Sequence, residues 1–121
     1  MKNFWDIIKR VIKDSDILLL VLDARFPELS SNKELREKTS HRPIIYILNK
    51  CDLVEKAELE KWKKKLGNCI FVSSREKFGT TILKKKILSL ARKEKVTVGV
   101  LGYPNTGKSS LINTLKGRKS A

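Results

Sequence analysis

Cysteine, acidic residues and long apolar runs are all scarce in this sequence, and two of these scarcities exclude a class of protein. The two cysteines, Cys51 and Cys69, are too few and too unevenly placed for a disulfide framework or a zinc site. The longest apolar run, residues 17–22, has the length of a strand and falls far short of the roughly 20 residues that a membrane helix needs. The first 13 residues mix charges with apolar residues, unlike a signal peptide. We therefore expect a cytoplasmic protein with no membrane partner.

The shortage of acidic residues leaves a large positive charge. Lys and Arg number 27 against 13 Asp and Glu, which gives a formal charge of +14 at pH 7. Such an excess favours a polyanionic partner, either RNA or the phosphates of a nucleotide. The lysine runs 63–65 and 84–86 fit two interpretations equally well, a solvated helix face and an RNA-facing surface.

The apolar pattern predicts alternating strands and helices. With 121 residues, 40% of them apolar, the chain is long enough for one core, so we expect a single domain over residues 1–121. Strands are predicted over residues 17–22, 44–48, 69–72 and 96–101, and helices over 3–13, 32–39, 53–66, 81–94 and 108–115. The first two strands are apolar throughout, which is typical of strands buried on both faces. The alternation predicts a three-layer α/β sandwich around a four-stranded parallel sheet.

A phosphate-binding loop follows the last predicted strand. The pattern Gly-x4-Gly-Lys-Ser is complete in Gly102-Tyr103-Pro104-Asn105-Thr106-Gly107-Lys108-Ser109. Its two glycines let the backbone curl so that N–H groups point at phosphate oxygens, and the helix that follows adds its positive N-terminal end. Lys108 supplies a charge for the terminal phosphates, and Ser109 offers a hydroxyl to Mg²⁺.

Polar motifs also follow the second and third predicted strands. Asn49-Lys50-Cys51-Asp52 comes directly after residues 44–48, at a carboxyl end of the sheet, where doubly wound folds bind ligands. The Asp52 carboxylate can accept hydrogen bonds from the N1–H and 2-amino group of guanine, which adenine does not offer, and the Lys50 stem can lie along the ring. Ser73-Ser74-Arg75 follows the third strand and can supply backbone N–H groups to the guanine O6.

The order of these motifs is the unusual feature of the chain. Asn-Lys-x-Asp, Ser-Ser-Arg and Gly-x4-Gly-Lys-Ser are motifs of Ras-like GTPases, but here the phosphate loop comes last. This order resembles the circularly permuted GTPases of the YlqF/YawG type, which assist ribosome assembly. The run Asp23-Ala24-Arg25-Phe26-Pro27 is similar to that family's Asp-Ala-Arg-x-Pro element. The role of Asp23 and Arg25 stays open between a mutual or helix-end ion pair and a functional one.

The resemblance implies a fold, a ligand and a partner. It implies a P-loop NTPase fold in permuted order, with the last strand beside the first and the second and third following outward. It implies binding of GTP or GDP with Mg²⁺, and a partner in ribosomal RNA or the large ribosomal subunit. Related GTPases with Pro-Asn in this loop hold K⁺ through the asparagine, which is Asn105 here. The nucleotide would be held by Asn49, Lys50, Asp52, Ser73, Ser74, Arg75, Asn105, Thr106, Gly107, Lys108, Ser109 and Ser110.

The family continues past the phosphate-loop helix into a switch threonine, two strands and an Asp-x-x-Gly motif, whereas this sequence ends at Ala121. We therefore expect an incomplete G domain that binds GDP and GTP with similar, weak affinity and does not hydrolyse GTP. The outer edge of the last strand would be unpaired; we expect a monomer with an edge that is open to self-association.

Two alternatives stay open at this point. An adenine-nucleotide P-loop enzyme would share the phosphate loop, but residues 49–52 argue against it. A basic RNA-binding module with a vestigial nucleotide site would share the charge, and a nucleotide titration separates it from a GTP-binding domain.

Overall fold

A parallel sheet forms the centre of the fold. In this computed structural model the described residues are 4–27, 37–39, 43–92, 94–102 and 106–116. Within them the strands are β1 (Ile17–Asp23), β2 (Ile44–Asn49), β3 (Cys69–Val72) and β4 (Val98–Gly102), in the order β3-β2-β1-β4. Every pairing in this sheet is parallel, and β4 lies beside β1. The predicted strand order is therefore confirmed.

Helices cover both faces of the sheet. On one face lie α1 (Phe4–Asp14) and α2 (Lys56–Leu66), which pack against Leu18, Leu20 and Leu22. On the other face lie α3 (Thr80–Leu90) and α4 (Lys108–Leu115), which pack against Ile17, Leu19 and Val21. All seven residues of β1 are buried, because the two faces of this central strand are both covered. This layering confirms the three-layer α/β sandwich of the P-loop type.

Helix boundaries depart from the sequence-based prediction in two places. The predicted helix over residues 53–66 is divided: Cys51–Leu53 forms a 3-10 turn, Val54 is extended, and α2 begins only at Lys56. A helix over residues 53–66 was expected to bury Val54, Ala57, Trp62 and Leu66. The buried residue of α2 is instead Leu59, and Ala57 is exposed. The helix predicted over residues 81–94 ends at Leu90 because Ala91 turns into an extended conformation. The helix predicted over residues 32–39 lies largely outside the described residues.

The sheet has an open edge in the described part of the chain. There, β4 pairs with β1 and with no strand on its other side. None of the helices in the described residues has the length and apolar character to span a membrane.

Candidate nucleotide-binding site

The three predicted motifs meet at the carboxyl edge of the sheet. A cavity of about 300 Å³ lies there. It is lined by Arg25, Asn49, Lys50, Asp52, Leu53, Ser74, Arg75, Gly107 and Ser110. Parallel strands place their carboxyl ends at one edge, so the loops after β2, β3 and β4 converge although they are far apart in sequence. Leu53 was not predicted as a site residue, since its position beside Asp52 carries no sequence signal of its own.

Asn49 connects the two halves of this cavity. Its Nδ2 donates a hydrogen bond to the carbonyl oxygen of Thr106 at 2.9 Å, in the phosphate loop. Its Oδ1 accepts a longer bond of 3.4 Å from the backbone N–H of Ser74, in the loop after β3. Asn49 and Thr106 are both 2% exposed. The side chain thus sets the distance between the loop that would read a base and the loop that would hold phosphates.

Asp52 is oriented by the loop after β3. The Ser73 hydroxyl donates to Asp52 Oδ1 at 2.7 Å and accepts from the backbone N–H of Glu76 at 3.0 Å. Ser73 itself is 1% exposed and exchanges backbone hydrogen bonds with Phe78. A hydrogen-bonded loop therefore holds one carboxylate oxygen of Asp52 at the cavity. Such a fixed acceptor is what recognition of the guanine N1–H and 2-amino group requires.

Lys50 is held in an unusual conformation at the end of β2. Its φ of 67° lies in the left-handed region, and its Nζ lies 3.1 Å from Asp23 Oδ2 at the end of β1. Asp23 also accepts bonds from Arg25, through the backbone N–H at 2.9 Å, Nε at 3.1 Å and a terminal guanidinium nitrogen at 2.8 Å. These bonds, led by that from the Arg25 side chain, lower the pKa of Asp23 to about 2 against the opposing effect of burial.

The interpretation of Asp23 and Arg25 as an ion pair is therefore supported, and the structure adds Lys50 to it. The contact between Asp23 and Lys50 was missed because 27 residues separate them in sequence. The signal that brings them together is the strand register, in which Asp23 lies opposite Asn49.

The phosphate loop enters the cavity through Gly107. Its φ of 87° is left-handed, and a Cβ at this position would overlap Asn49 Nδ2, so only glycine fits. Lys108 begins α4 directly after it, which places the N-terminus of α4 beside the cavity. Gly102 is the last residue of β4, one residue beyond the predicted strand, and the curl predicted after it falls on residues 103–105, outside the described residues. A Cβ at Gly102 would lie 3.0 Å from Thr106 Oγ1, so this glycine permits close packing.

Of the two predicted metal ligands, one lies among the described residues and the other does not. Ser109 lies exposed in the first turn of α4, where its hydroxyl offers one hard oxygen. No group of three His, Cys, Asp or Glu side chains placed to bind a metal occurs in the described part of the chain. This donor set fits Mg²⁺ bound chiefly through nucleotide phosphates and water. Asn105, the predicted K⁺ ligand, lies outside the described residues.

Both cysteines are buried and free. Burial raises the pKa of the Cys51 thiol, and it raises that of Cys69 to about 12. Neither thiol forms a reactive thiolate near neutral pH, and the burial of both supports a packing role.

Comparison with known proteins gives the same picture. A family model described as 50S ribosome-binding GTPase matches residues 97–121. An uncharacterized GTP-binding protein of Methanocaldococcus jannaschii is 47% identical over 121 residues, an alignment that covers 95% of this chain and 32% of that protein. Nucleolar GTP-binding protein 2 of Saccharomyces cerevisiae is 37% identical over 131 residues, covering 98% of this chain and 27% of that protein. The chain thus spans about a third or less of the length of these curated relatives.

Solved structures extend the likeness to the fold. GNP-bound YlqF from T. maritima superposes with a TM-score of 0.78 at 28% identity, covering 98% of this chain and 50% of that one. The GDP-bound structure of the same protein superposes with a TM-score of 0.74 at 30% identity, covering 93% of this chain and 48% of that one. Motif order, strand order and similarity agree, and the chain is therefore a GTP-binding domain of the circularly permuted YlqF and nucleolar GTPase family.

Proposed function

We propose that this chain is the nucleotide-binding unit, formed by residues 1–121, of a GTPase that acts in assembly of the large ribosomal subunit. One observation carries the nucleotide part of this proposal. The oriented Asp52 carboxylate and the N-terminus of α4 lie at the same cavity, joined by the hydrogen bonds of Asn49. A guanine nucleotide is the ligand whose two ends match these two features.

The chemistry of each end follows from its residues. Asp52 accepts hydrogen bonds from the N1–H and the 2-amino group of guanine, and backbone N–H groups of the loop after β3 donate to O6. Lys108 and the backbone N–H groups at the start of α4 hold the phosphates. Ser109 gives one oxygen to a Mg²⁺ ion that accompanies them. GTP hydrolysis is proposed for the whole protein, since it also needs a positioned water and a complete metal shell.

A competition titration of GDP against ADP tests the nucleotide assignment. We expect GDP to bind at least about 100-fold more tightly, because adenine leaves the Asp52 carboxylate without donors at the base edge. Lys108→Ala should weaken whichever nucleotide binds and serves as the control for phosphate-loop binding. Equal affinities would favour an adenine-nucleotide P-loop enzyme or an unspecific one, and no binding of either would favour a vestigial site.

The ribosomal part rests on charge and on relatives. The formal charge is +14, and Lys63, Lys64 and Lys65 are exposed at the end of α2. The matching family model is described as ribosome-binding, and the yeast relative is a nucleolar protein by name. We propose ribosomal RNA of the large subunit as the partner and the cytoplasm as the location. Cosedimentation with purified large subunits, and its absence with small subunits, would support this assignment.

We also propose K⁺ as a second cation, held in part by Asn105. A carbonyl oxygen suits this hard monovalent ion, which would add a fixed positive charge near the phosphates. The test is the GTPase rate of the full-length protein in potassium and in sodium. Equal rates would remove Asn105 from this role.

A further inference from the structure

The carboxylate of Asp23 lies beside the cavity and accepts several hydrogen bonds. The proposed nucleotide chemistry assigns it no role. Asp23 is 7% exposed and ends β1, directly opposite Asn49 of β2. One of its oxygens accepts from the backbone N–H and the Nε of Arg25. The other accepts from the terminal guanidinium nitrogen of Arg25 and from Lys50 Nζ. A buried carboxylate is thus compensated by two cations on neighbouring loops.

This arrangement fixes two side chains that line the cavity. Lys50 turns away from β2 through its left-handed backbone, and its Nζ is anchored 3.1 Å from Asp23, so its aliphatic stem spans the space between the two strand ends. The guanidinium of Arg25 donates to both Asp23 oxygens and lies 5.5 Å from the centroid of the Phe26 ring. Without Asp23, Lys50 would be a long, rotamer-rich side chain that must be ordered when a ligand enters.

We propose that Asp23 is a positioning residue of the nucleotide site, which anchors Lys50 so that its stem forms a preformed wall for the purine ring. The inference rests on the proposed binding of guanine nucleotide at this cavity. It assigns the Asp-Ala-Arg element of the sequence a role that differs from base-edge recognition and from phosphate binding. A side-chain stem that packs on the face of a ring does not contact the base edge. Asp23 therefore contributes affinity without selectivity, whereas Asp52 contributes selectivity.

A double-mutant cycle between Asp23→Asn and Lys50→Met tests the anchoring. Methionine keeps an unbranched stem but lacks the ammonium group. Each single substitution should weaken GDP binding by about 5- to 10-fold, the cost of ordering one long side chain. Asp23→Asn should weaken it by less than about 2-fold when Lys50 is already methionine, because the anchored group is then gone. Additive losses would overturn the inference.

Two further measurements separate anchoring from a general structural effect. In an Arg25→Gln background, which removes the guanidinium bonds to Asp23 and keeps the backbone N–H bond, the loss caused by Asp23→Asn should persist. IDP, which lacks the 2-amino group, should be weakened by Asp23→Asn by the same factor as GDP, whereas Asp52 variants should change the ratio of the two. A changed GDP-to-IDP ratio in Asp23→Asn would contradict the assigned role.

Failure of the inference is distinguishable from failure of the proposed function. If the unmodified chain does not bind GDP, the proposed function fails and the inference falls with it. If GDP binds measurably and the cycle is additive, only the role of Asp23 is overturned. If Asp23→Asn does not fold, Lys50→Met decides the question alone, since it leaves the pair of Asp23 and Arg25 in place. Unchanged GDP affinity in Lys50→Met would then overturn the inference.

Discussion

The two halves of the cavity are built from different chemical groups. The base half, around Asp52, is built from side chains that bind one another: Ser73 orients Asp52, and Asp23 binds both Arg25 and Lys50. In the phosphate half, the described features belong to the backbone. They are the left-handed Gly107 and the N-terminus of α4. Asn49 is the side chain that spans the two halves.

The difference indicates where affinity and selectivity originate. Backbone N–H groups and a helix terminus attract any phosphate, so the second half binds without regard to the base. An oriented carboxylate accepts only from suitable donors, so the first half chooses among bases. Changes in the phosphate half should therefore weaken every nucleotide, and changes at Asp52 in the base half should alter which nucleotide binds.

The largest effect is expected from Gly107→Ala. The added methyl group would overlap Asn49 Nδ2 in a backbone conformation that alanine avoids, so both halves must shift. We expect a loss of about 2–4 kcal/mol in the free energy of unfolding and loss of measurable binding of GDP and GTP alike. Denaturant unfolding and calorimetric titration measure the two quantities.

Gly67→Ala is the matched control for that experiment. Gly67 follows α2 with a similar φ of 83° but a ψ of −103°, a conformation that glycine alone adopts readily, and nothing lies within 4 Å of an added Cβ. The backbone strain alone should cost about 1–3 kcal/mol and leave nucleotide binding unchanged. Loss of GDP binding in both variants would show that the contact between Gly107 and Asn49 does not matter.

Asn49→Ala should separate the halves with a smaller effect. It leaves the buried carbonyl of Thr106 without its Asn49 donor and releases the Ser74 N–H. We expect a loss of about 1–3 kcal/mol in stability and roughly 10- to 30-fold in GDP affinity. Asn68→Ala removes a similar side-chain bond to a backbone carbonyl, at Ile44 and outside the cavity, and should not change GDP affinity. An unchanged affinity in Asn49→Ala would contradict the bridging role.

The sequence was most informative where local chemistry decides the structure. The apolar runs of β1 and β2 predicted a sheet covered on both faces, and Gly107 before Lys108 predicted the start of α4 correctly. The order of the strands came from the resemblance. Prediction was wrong where tertiary packing decides, as at the 3-10 turn over Cys51–Leu53 and the early end of α3 at Leu90. The bond between Asp23 and Lys50 depends on strand register, which no local pattern carries.

Asp23 should make the stability of the protein depend on pH in acid. Its folded pKa of about 2 lies below the ordinary value of 3.8, so its contribution is complete above pH 4 and disappears as the pH falls towards 2. Asp23→Asn should cost about 1–2 kcal/mol of unfolding free energy at pH 7, and the gap to the unmodified chain should close between about pH 4 and pH 2. A gap that stays constant over this range would show that the charge of Asp23 is not what stabilises the fold.

The smallest effect on nucleotide binding is expected at the lysine runs. Replacing Lys63, Lys64 and Lys65 by glutamine should leave GDP affinity unchanged, since none of them lines the cavity. It should weaken binding of ribosomal RNA and reduce the slope of log affinity against log salt by roughly 0.9 for each phosphate that the variant no longer neutralises. The double variant Lys84→Gln, Lys85→Gln tests the other lysine run, on the opposite face of the sheet, and removes two charges instead of three. If the RNA affinity of the unmodified chain does not change with salt concentration, both lysine runs contribute only to solubility.

The central claim is that Asp52 reads a guanine base, and Asp52→Asn tests it most directly. An amide at this position donates a hydrogen bond where xanthine presents a carbonyl, and it loses the charge that accepts from the guanine donors. In a titration of the unmodified chain and the variant, we expect GDP affinity to fall by roughly 100-fold and xanthosine diphosphate to become the preferred ligand. A variant that still prefers GDP to xanthosine diphosphate would contradict the account of this cavity.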